Sequence, residues 1–468
     1  MKRHRATLAT SWNDSKKEKK GKLVHLLLAS ALSLTFLSPP MRASISDAAH
    51  EMVSVIVRAT PGDAPDVRHA IESLGGHVDR RIRIIRGFSA RVPVTALDDL
   101  ATHPSVMAIS PDRRIQMMGL LDPVTDTVCG LLCGDSGDDG TNSSGGYDPT
   151  RDQGSMYSTV RAIRAQEYWK KGFTGQGVDV AVIDTGVVPV EGIDNADQVV
   201  NGPDLSFDSQ VPELTYLDTF GHGTHMAGII AGRDDSVAAG AETSNTDGFL
   251  GVAPDSRVVS VKVANYEGAV DVSQVIAAID WVVQHRRDAG MNIRVLNLSF
   301  GTDGVQDYVL DPLAYATEVA WHKGIVVVAA AGNAGFGSPS LSDPAYDPYV
   351  LSVGADISNA PGNVKDDEIP EWSSRGNADR HPDLVAPGKS IQSLRNVGSY
   401  IDDMFPVGVI NERYFRGSGT SQASAVVSGA VALLLEERPT MTPDQVKALL
   451  TGTATPIPGA DPAAQGAG

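Results

Sequence analysis

From about residue 157 onward, largely apolar, β-branched runs alternate with helical stretches. No other feature narrows the fold as much. Val178 to Ile183, Val258 to Val263, Val295 to Phe300 and Ile325 to Ala330 read as strands. Ser273 to Arg287, Pro312 to His322, Ala423 to Glu437 and Pro443 to Leu450 carry helical spacing between and after them. Buried strands spaced by helices predict an α/β fold, a mostly parallel sheet covered by helices on both faces. Open sheets of this kind place their sites at the carboxyl ends of the strands. No internal repeat accompanies the pattern.

A smaller unit precedes it. Met52 to Val57 reads as a strand, and Pro65 to Leu74 as a helix stopped by Gly75-Gly76. Ile82 to Val92 reads as two short strands around Arg86-Gly87. Thr95 to Thr102 reads as a second helix and Val106 to Ile109 as a last strand. Between the two units, Cys133 to Asp152 is rich in Gly, Ser, Asp and Asn, which is the composition of a solvated linker. Its aspartates could bind calcium, but their spacing matches no calcium-loop motif.

Charge separates the same regions. Residues 1–22 hold eight Lys/Arg against two Asp/Glu, residues 51–115 nine against eight, and residues 116–468 21 against 46. The acidic balance argues against a nucleic-acid partner, whose phosphates attract basic surfaces. The basic start runs into an apolar stretch, Leu23 to Leu37, ended by Pro39-Pro40. That order describes a secretory signal. The stretch is short of the roughly 20 residues that span a membrane. An uncleaved signal anchor is the alternative. Export would put Cys129 and Cys133 in an oxidising compartment, where a small local disulfide forms readily; two free thiols are the other reading. Two cysteines make neither a disulfide scaffold nor a four-cysteine zinc site.

Three short constellations lie at element boundaries. Ala181-Val182-Ile183-Asp184-Thr185-Gly186 ends a buried strand in a carboxylate and then turns. Gly221-His222-Gly223-Thr224-His225 holds an imidazole at the entrance of a helix, with small residues allowing close packing. His222 and His225 alone could be metal ligands, but the helical His-Glu-x-x-His motif is absent. Gly417-Ser418-Gly419-Thr420-Ser421 leads into an Ala/Val/Leu-rich helix. Ser421 at that N-terminus is either a cap or a nucleophile whose oxyanion the backbone N–H groups would steady. A serine nucleophile needs an imidazole base, and the base needs a carboxylate to fix its tautomer.

Asp184, His222 and Ser421, in that chain order, resemble the triad of the subtilisin-like serine peptidases, and the resemblance runs from roughly 157 to 458. Val328-Ala329-Ala330-Ala331-Gly332-Asn333 is similar to that family's strand ending in an oxyanion-hole asparagine, which implies that role for Asn333. Leu296-Asn297-Leu298-Ser299-Phe300-Gly301 is similar to its substrate-binding strand. The implied substrate-binding residues are Ser299, Phe300, Gly301, Ala331 and Gly332, and such strands take extended peptide by β-augmentation. Val385-Ala386-Pro387-Gly388 is a further match. The small unit, through Gly87-Phe88-Ser89-Ala90 and Val106 to Asp112, resembles the family's inhibitory prodomain and implies a ferredoxin-like α+β fold.

The implied organisation is a signal segment at 1–48, a prodomain at 49–115, a linker at 116–156, a catalytic domain at 157–458 and a tail at 459–468. The resemblance implies a secreted, autoprocessed endopeptidase. Its partners would be peptide or protein substrates and its own prodomain, with no membrane contact after processing. Its chemistry would need no cofactor. The family often carries a structural calcium near the long polar segment Arg233 to Phe249, where Asn245 and Asp247 are candidate ligands. Ala425 stands where the family often has proline. The chain stops where a short apolar strand usually follows Ala463 to Gly468, which would fit a truncated sequence. Asp343 and Asp347, in the loop after Asn333, would favour basic side chains if either carboxylate lined the primary pocket. Two other classes compete. Asp135-Ser136-Gly137 and Asp184-Thr185-Gly186 both fit the aspartic-peptidase signature, but the βα alternation does not suit two β-rich lobes. A non-catalytic binding protein on the same fold would be expected to lack a triad member.

Overall fold

The computed structural model describes residues 51–116, 147–303, 306–336, 341–359 and 362–468. The segment 1–48, most of the linker, Asp135, Cys129 and Cys133 lie outside the described residues. The chain divides into two compact units. One comprises 51–81 and 86–111 of the described residues; the other comprises 82–85 and everything from Asp112 onward.

In the small unit, β1 (Met52–Ala59) is followed by the helix Ala64–Ser73, β2 (His77–Ile82), β3 (Gly87–Pro93), the helix Leu97–Thr102 and β4 (Val106–Pro111). The sheet order is β2-β3-β1-β4, with β1 antiparallel to both neighbours. Val55, Val57, Val67, Ile71, Phe88, Val92 and Leu100 form its core. The apolar pattern predicts two strands within Ile82 to Val92. The first of them lies earlier, at His77–Ile82, because it is an exposed strand of mostly polar residues with no apolar alternation to reveal it. Arg86, at φ 55°, turns the chain into β3.

The large unit opens with β5 (Arg114–Gln116) and, after the linker, the helices Met156–Ala162 and Ala165–Trp169. Its central sheet uses β6 (Asp179–Asp184), β7 (Val199–Asn201), β8 (Arg257–Lys262), β10 (Ile293–Leu298), β11 (Val326–Ala330), β12 (Leu351–Asp356) and β13 (Leu384–Pro387). β9 (Ala269–Asp271) lies outside this sheet and pairs with β5. The sheet order is β13-β12-β11-β10-β6-β8-β7, and every pairing is parallel. Every residue of β6, β11 and β12 is buried, as covering on both faces requires. The helices Val272–His285 and Pro312–His322 pack together on one side. The helices His222–Ala231 and Thr420–Glu437 pack together on the other. The hairpin β14 (Ile391–Leu394) with β15 (Tyr414–Gly417) leads into the last of these helices. Near the end of the chain, Val385 N–H donates to the Gly468 carbonyl at 3.1 Å and Ala467 N–H to that of Asp383 at 3.0 Å.

Strand β10 ends at Leu298, two residues before the Phe300 expected from sequence. The reason is polar. Ser299 turns its hydroxyl into the helix that carries Ser421 instead of continuing the ladder.

Candidate active site

Asp184 ends β6 and is 1% exposed. Its Oδ1 accepts the Thr185 N–H at 2.8 Å. His222 Nδ1 lies 2.8 Å from Oδ1 and 3.0 Å from Oδ2. Both oxygens only accept, so Nδ1 carries the proton and Nε2 is left with a lone pair. Burial works against a charged His222, but the Asp184 carboxylate, its hydrogen bond and Asp218 hold the imidazole above its usual range.

His222 is the first residue of its helix, and Gly221 before it takes φ 106°. A Cβ on Gly223 would come within 2.1 Å of the Gly186 carbonyl oxygen. The helix start and the turn after β6 are therefore in contact, backbone to backbone, which only glycine permits. Asp218, which no sequence motif singled out, joins them. Its Oδ1 accepts the Thr185 hydroxyl at 2.7 Å and the Gly221 N–H at 2.6 Å, and its Oδ2 accepts the Thr224 N–H at 2.8 Å. Burial pushes its carboxyl up, against these hydrogen bonds. An acidic residue just ahead of a helix is a capping signal, and that signal could have found it.

Ser421 is the second residue of the helix Thr420–Glu437. Its hydroxyl donates to the Ser299 carbonyl at 2.7 Å rather than to His222. The Ser299 hydroxyl in turn contacts the Ser421 carbonyl at 3.0 Å and receives the Asn297 amide at 2.8 Å. Ser428 donates to Asn297 Oδ1 at 2.9 Å. This buried chain fixes the end of β10 to the serine helix.

Asn333 follows β11 and Gly332, whose φ is 112°. Its Oδ1 accepts the Thr420 N–H at 2.9 Å, and Thr420 Oγ1 lies 3.0 Å away. A backbone N–H can only donate, so the atom facing it is the oxygen and the Asn333 NH₂ is turned away from Thr420. A Cβ on Gly419 would lie 3.3 Å from that Nδ2. Thr420 Oγ1 also receives the Gly332 N–H at 3.1 Å.

The segments expected to bind substrate are placed unevenly. Ser299, Phe300 and Ala331 are buried, while Gly301 and Gly332 are half-buried. The Ala331 N–H donates to the Val353 carbonyl and its own carbonyl accepts the Ser342 N–H, both at 2.9 Å. An edge missed from sequence is β9. Ile115, 1% exposed, pairs antiparallel with Val270, between Arg114–Asp271 and Gln116–Ala269. Val272 N–H donates to the Arg113 carbonyl at 3.0 Å and Ser273 N–H to Asp112 Oδ1 at 2.9 Å. Three residues of strand are too short to announce themselves by periodicity.

Asp343 and Asp347, in the loop after Asn333, lie inside the protein. They are 2% and 0% exposed. Burial, with Asp311 and Asp347 beside it, pushes the Asp343 carboxyl well up. Burial pushes Asp347 to about 7, against the Tyr349 N–H that its Oδ1 accepts. In the segment 233–249, the Asn245 carboxamide closes a turn on both backbone groups of Gly248, at 2.6 and 2.9 Å. Arg233 lies 3.0 Å from Glu242 and 3.2 Å from Asp255. Among the described residues, no group of three or more His, Cys, Asp or Glu is gathered to hold a metal ion.

Residues 175–468 match the family model described as "Subtilase family", and residues 36–112 match "Putative peptidase inhibitor domain". The architecture and the match together define a subtilisin-type serine endopeptidase with an inhibitor-like N-terminal domain. The chain belongs to the subtilase family. It is 36% identical to the serine protease AprX of Bacillus subtilis (strain 168) over 66% of this chain and 69% of that protein. It is also 36% identical to a subtilisin of Bacillus pumilus, over 63% of this chain and 90% of that protein. The crystal structure of fervidolysin from Fervidobacterium pennivorans shares the fold at a TM-score of 0.61 and 23% identity. The alignment covers 87% of this chain but 58% of that one. With the family established, the aspartic-peptidase reading falls: Asp184 faces an imidazole, not a second carboxylate.

Proposed function

We propose that Asp184, His222 and Ser421 act as the catalytic triad of a secreted endopeptidase made as a zymogen. His222 Nε2 takes the proton from the Ser421 hydroxyl as Oγ attacks the scissile carbonyl. Asp184 holds the imidazole in the required tautomer and offsets its charge. The Asn333 NH₂ and the Ser421 N–H donate to the oxyanion of the tetrahedral intermediate. The leaving amine takes the proton from His222, and water then hydrolyses the acyl-enzyme. The buried contact between His222 Nδ1 and both Asp184 oxygens carries this reading most directly.

Extended peptide is the substrate class, with Ser299 to Gly301, Ala331 and Gly332 on one side and β9 on the other. The chain's own segment Arg114–Gln116 already lies on β9 as an added strand, which favours an N-terminal domain that inhibits in cis until it is cut. The boundaries of that organisation are 1–48, 49–115, 116–156, 157–458 and 459–468. The basic, then apolar, N-terminus favours export.

A Ser421→Ala chain tests both parts. It should lose nearly all peptidase activity and keep residues 49–115 attached. Self-processing by the pure variant would exclude Ser421 as the nucleophile.

A further inference from the structure

Ser342 and Asp343 are bonded to both of the segments expected to take substrate. The Ser342 N–H donates to the Ala331 carbonyl at 2.9 Å. Asp343 exchanges both backbone hydrogen bonds with Thr302, the residue after Gly301, at 2.7 and 3.0 Å. A Cβ on Gly301 would come 2.4 Å from Ser342 Cβ, and one on Gly332 would come 2.3 Å from Ser342 Oγ. The spacing between Ser299–Gly301 and Ala331–Gly332 therefore follows wherever these two residues sit.

A pair of buried carboxyls fixes that place. Asp343 is 2% exposed and Asp311 6%. The two side chains are hydrogen-bonded to each other. An ionised carboxylate only accepts, so one of the two carries a proton. Asp311 is fully engaged as an acceptor. Its Oδ1 takes the Leu313 and Ala314 N–H groups at 2.7 and 3.0 Å, capping the helix Pro312–His322, and its Oδ2 takes the Gln306 amide at 3.1 Å. Asp343 Oδ1 has no hydrogen-bond partner among the described residues. A buried oxygen without a donor is tolerable on a neutral acid and costly on a carboxylate. The proton therefore sits on Asp343 and is donated to Asp311. The surroundings favour the same form. Asp347 acts on the Asp343 carboxyl, and Asp307 and Tyr346 belong to the same cluster. The cations Arg380 and Lys447 act on Asp347.

We propose that Asp343 is a positioning residue for extended peptide: as a neutral acid it donates to Asp311, and so ties the turn between the two substrate-binding segments to the cap of the helix Pro312–His322. This rests on the reading of Ser299–Gly301, Ala331 and Gly332 given above. The Asp343 side chain acts only through the backbone of those segments. It bears on how firmly extended peptide is held, and not on bond making at Ser421.

The test uses the full chain and three readouts: KM and kcat on an extended peptide amide, hydrolysis of p-nitrophenyl acetate, and labelling by a fluorophosphonate. Asp343→Leu keeps the bulk and removes the donor. Its KM for the peptide should rise roughly tenfold, the effect of losing one hydrogen bond to a charged group. Its kcat and its rate on the small ester, which makes no extended contact, should stay near those of the parent. Asp343→Asn supplies an N–H donor without charge and should restore KM to within about twofold. An unchanged KM in Asp343→Leu would overturn the proposal. So would an Asp343→Asn protein as impaired as Asp343→Leu, or an ester rate that falls together with peptide hydrolysis. If Asp343→Leu is not labelled and so has not folded, Asp311→Ala, which removes the acceptor instead, is read by the same criteria. Absence of labelling in the unsubstituted protein would remove the reading of Ser421, and this proposal with it.

Discussion

Ser421 and Ser299 are bonded to each other twice: the Ser421 hydroxyl donates to the Ser299 carbonyl at 2.7 Å, and the Ser299 hydroxyl lies 3.0 Å from the Ser421 carbonyl. The nucleophile candidate is thus parked on the end of β10. Rotation about its Cα–Cβ bond redirects it without moving the helix. Ser299→Ala keeps the carbonyl that parks Ser421 but strands the Asn297 amide. We expect a stability loss of about 1–3 kcal/mol, read by urea unfolding.

Asp184→Asn leaves the packing intact but replaces one of the two acceptor oxygens facing His222 Nδ1 by an NH₂ donor, which permits the wrong imidazole tautomer. Turnover should fall roughly 10⁴-fold. The pH profile should also move. Asp184 and its hydrogen bond raise His222, against burial, so the neutral base appears only above the usual histidine range. Without that carboxylate, the acid limb of the residual activity should shift to lower pH. An unshifted limb would detach the limb from His222. The raised His222 also contributes stability that is full below the unfolded histidine's pKa and lost as pH rises through the folded one.

Asn333→Ala removes the side-chain donor. We expect kcat to fall roughly 10²–10³-fold with KM little changed, measured on a peptide amide substrate. Thr420→Val, which loses the hydroxyl bridging Gly332 N–H and Asn333 Oδ1, should lower kcat by less.

Asp347 makes stability pH-dependent in a direction opposite to that of a paired carboxylate. Its folded value, about 7, lies above the ordinary 3.8. The protonated form is favoured by folding, so the stability it contributes is full below 3.8 and is lost as pH rises through about 7. Asp347→Asn should therefore raise Tm at pH 8 and leave it nearly unchanged at pH 3. An equal effect at both pH values would count against the ionisation.

Arg233 is the cation of the segment 233–249, bonded to Glu242 and to the Val237 carbonyl at 3.1 Å. Glu242 sits low despite its burial, first through backbone and Arg233 hydrogen bonds. Arg233→Met should cost roughly 1–3 kcal/mol by leaving that carboxylate unpaired. Thermal unfolding of the variant against the parent, each with and without EDTA, checks this and separates the guanidinium's contribution from any metal's.

The long apolar strands were readable because β-branched runs such as Val326–Ala330 announce burial on both faces. Asp184, His222, Asn333 and Ser421 stood out because each closes or opens such an element. Asp218 did not, since its local cap on Gly221 and Thr224 is a weak signal and its bond from Thr185 comes only with folding. β2 and the β5–β9 pair escaped for a related reason: one is polar and exposed, the other is a partnership between segments over 150 residues apart in the chain. The burial of Asp343 and Asp347 was not legible, because a carboxylate reads as charged in sequence until its surroundings are known.

The strand Arg114–Gln116 on β9 has a consequence in concentration rather than in shape. While the chain is continuous, a tethered strand meets its edge at an effective concentration of about millimolar, set by the tether. If the chain is cut downstream of Gln116, as the proposed zymogen would be, the same contact becomes bimolecular and its strength depends on volume. A protein released into a large compartment would then lose its occupant by dilution alone, with no change in any contact.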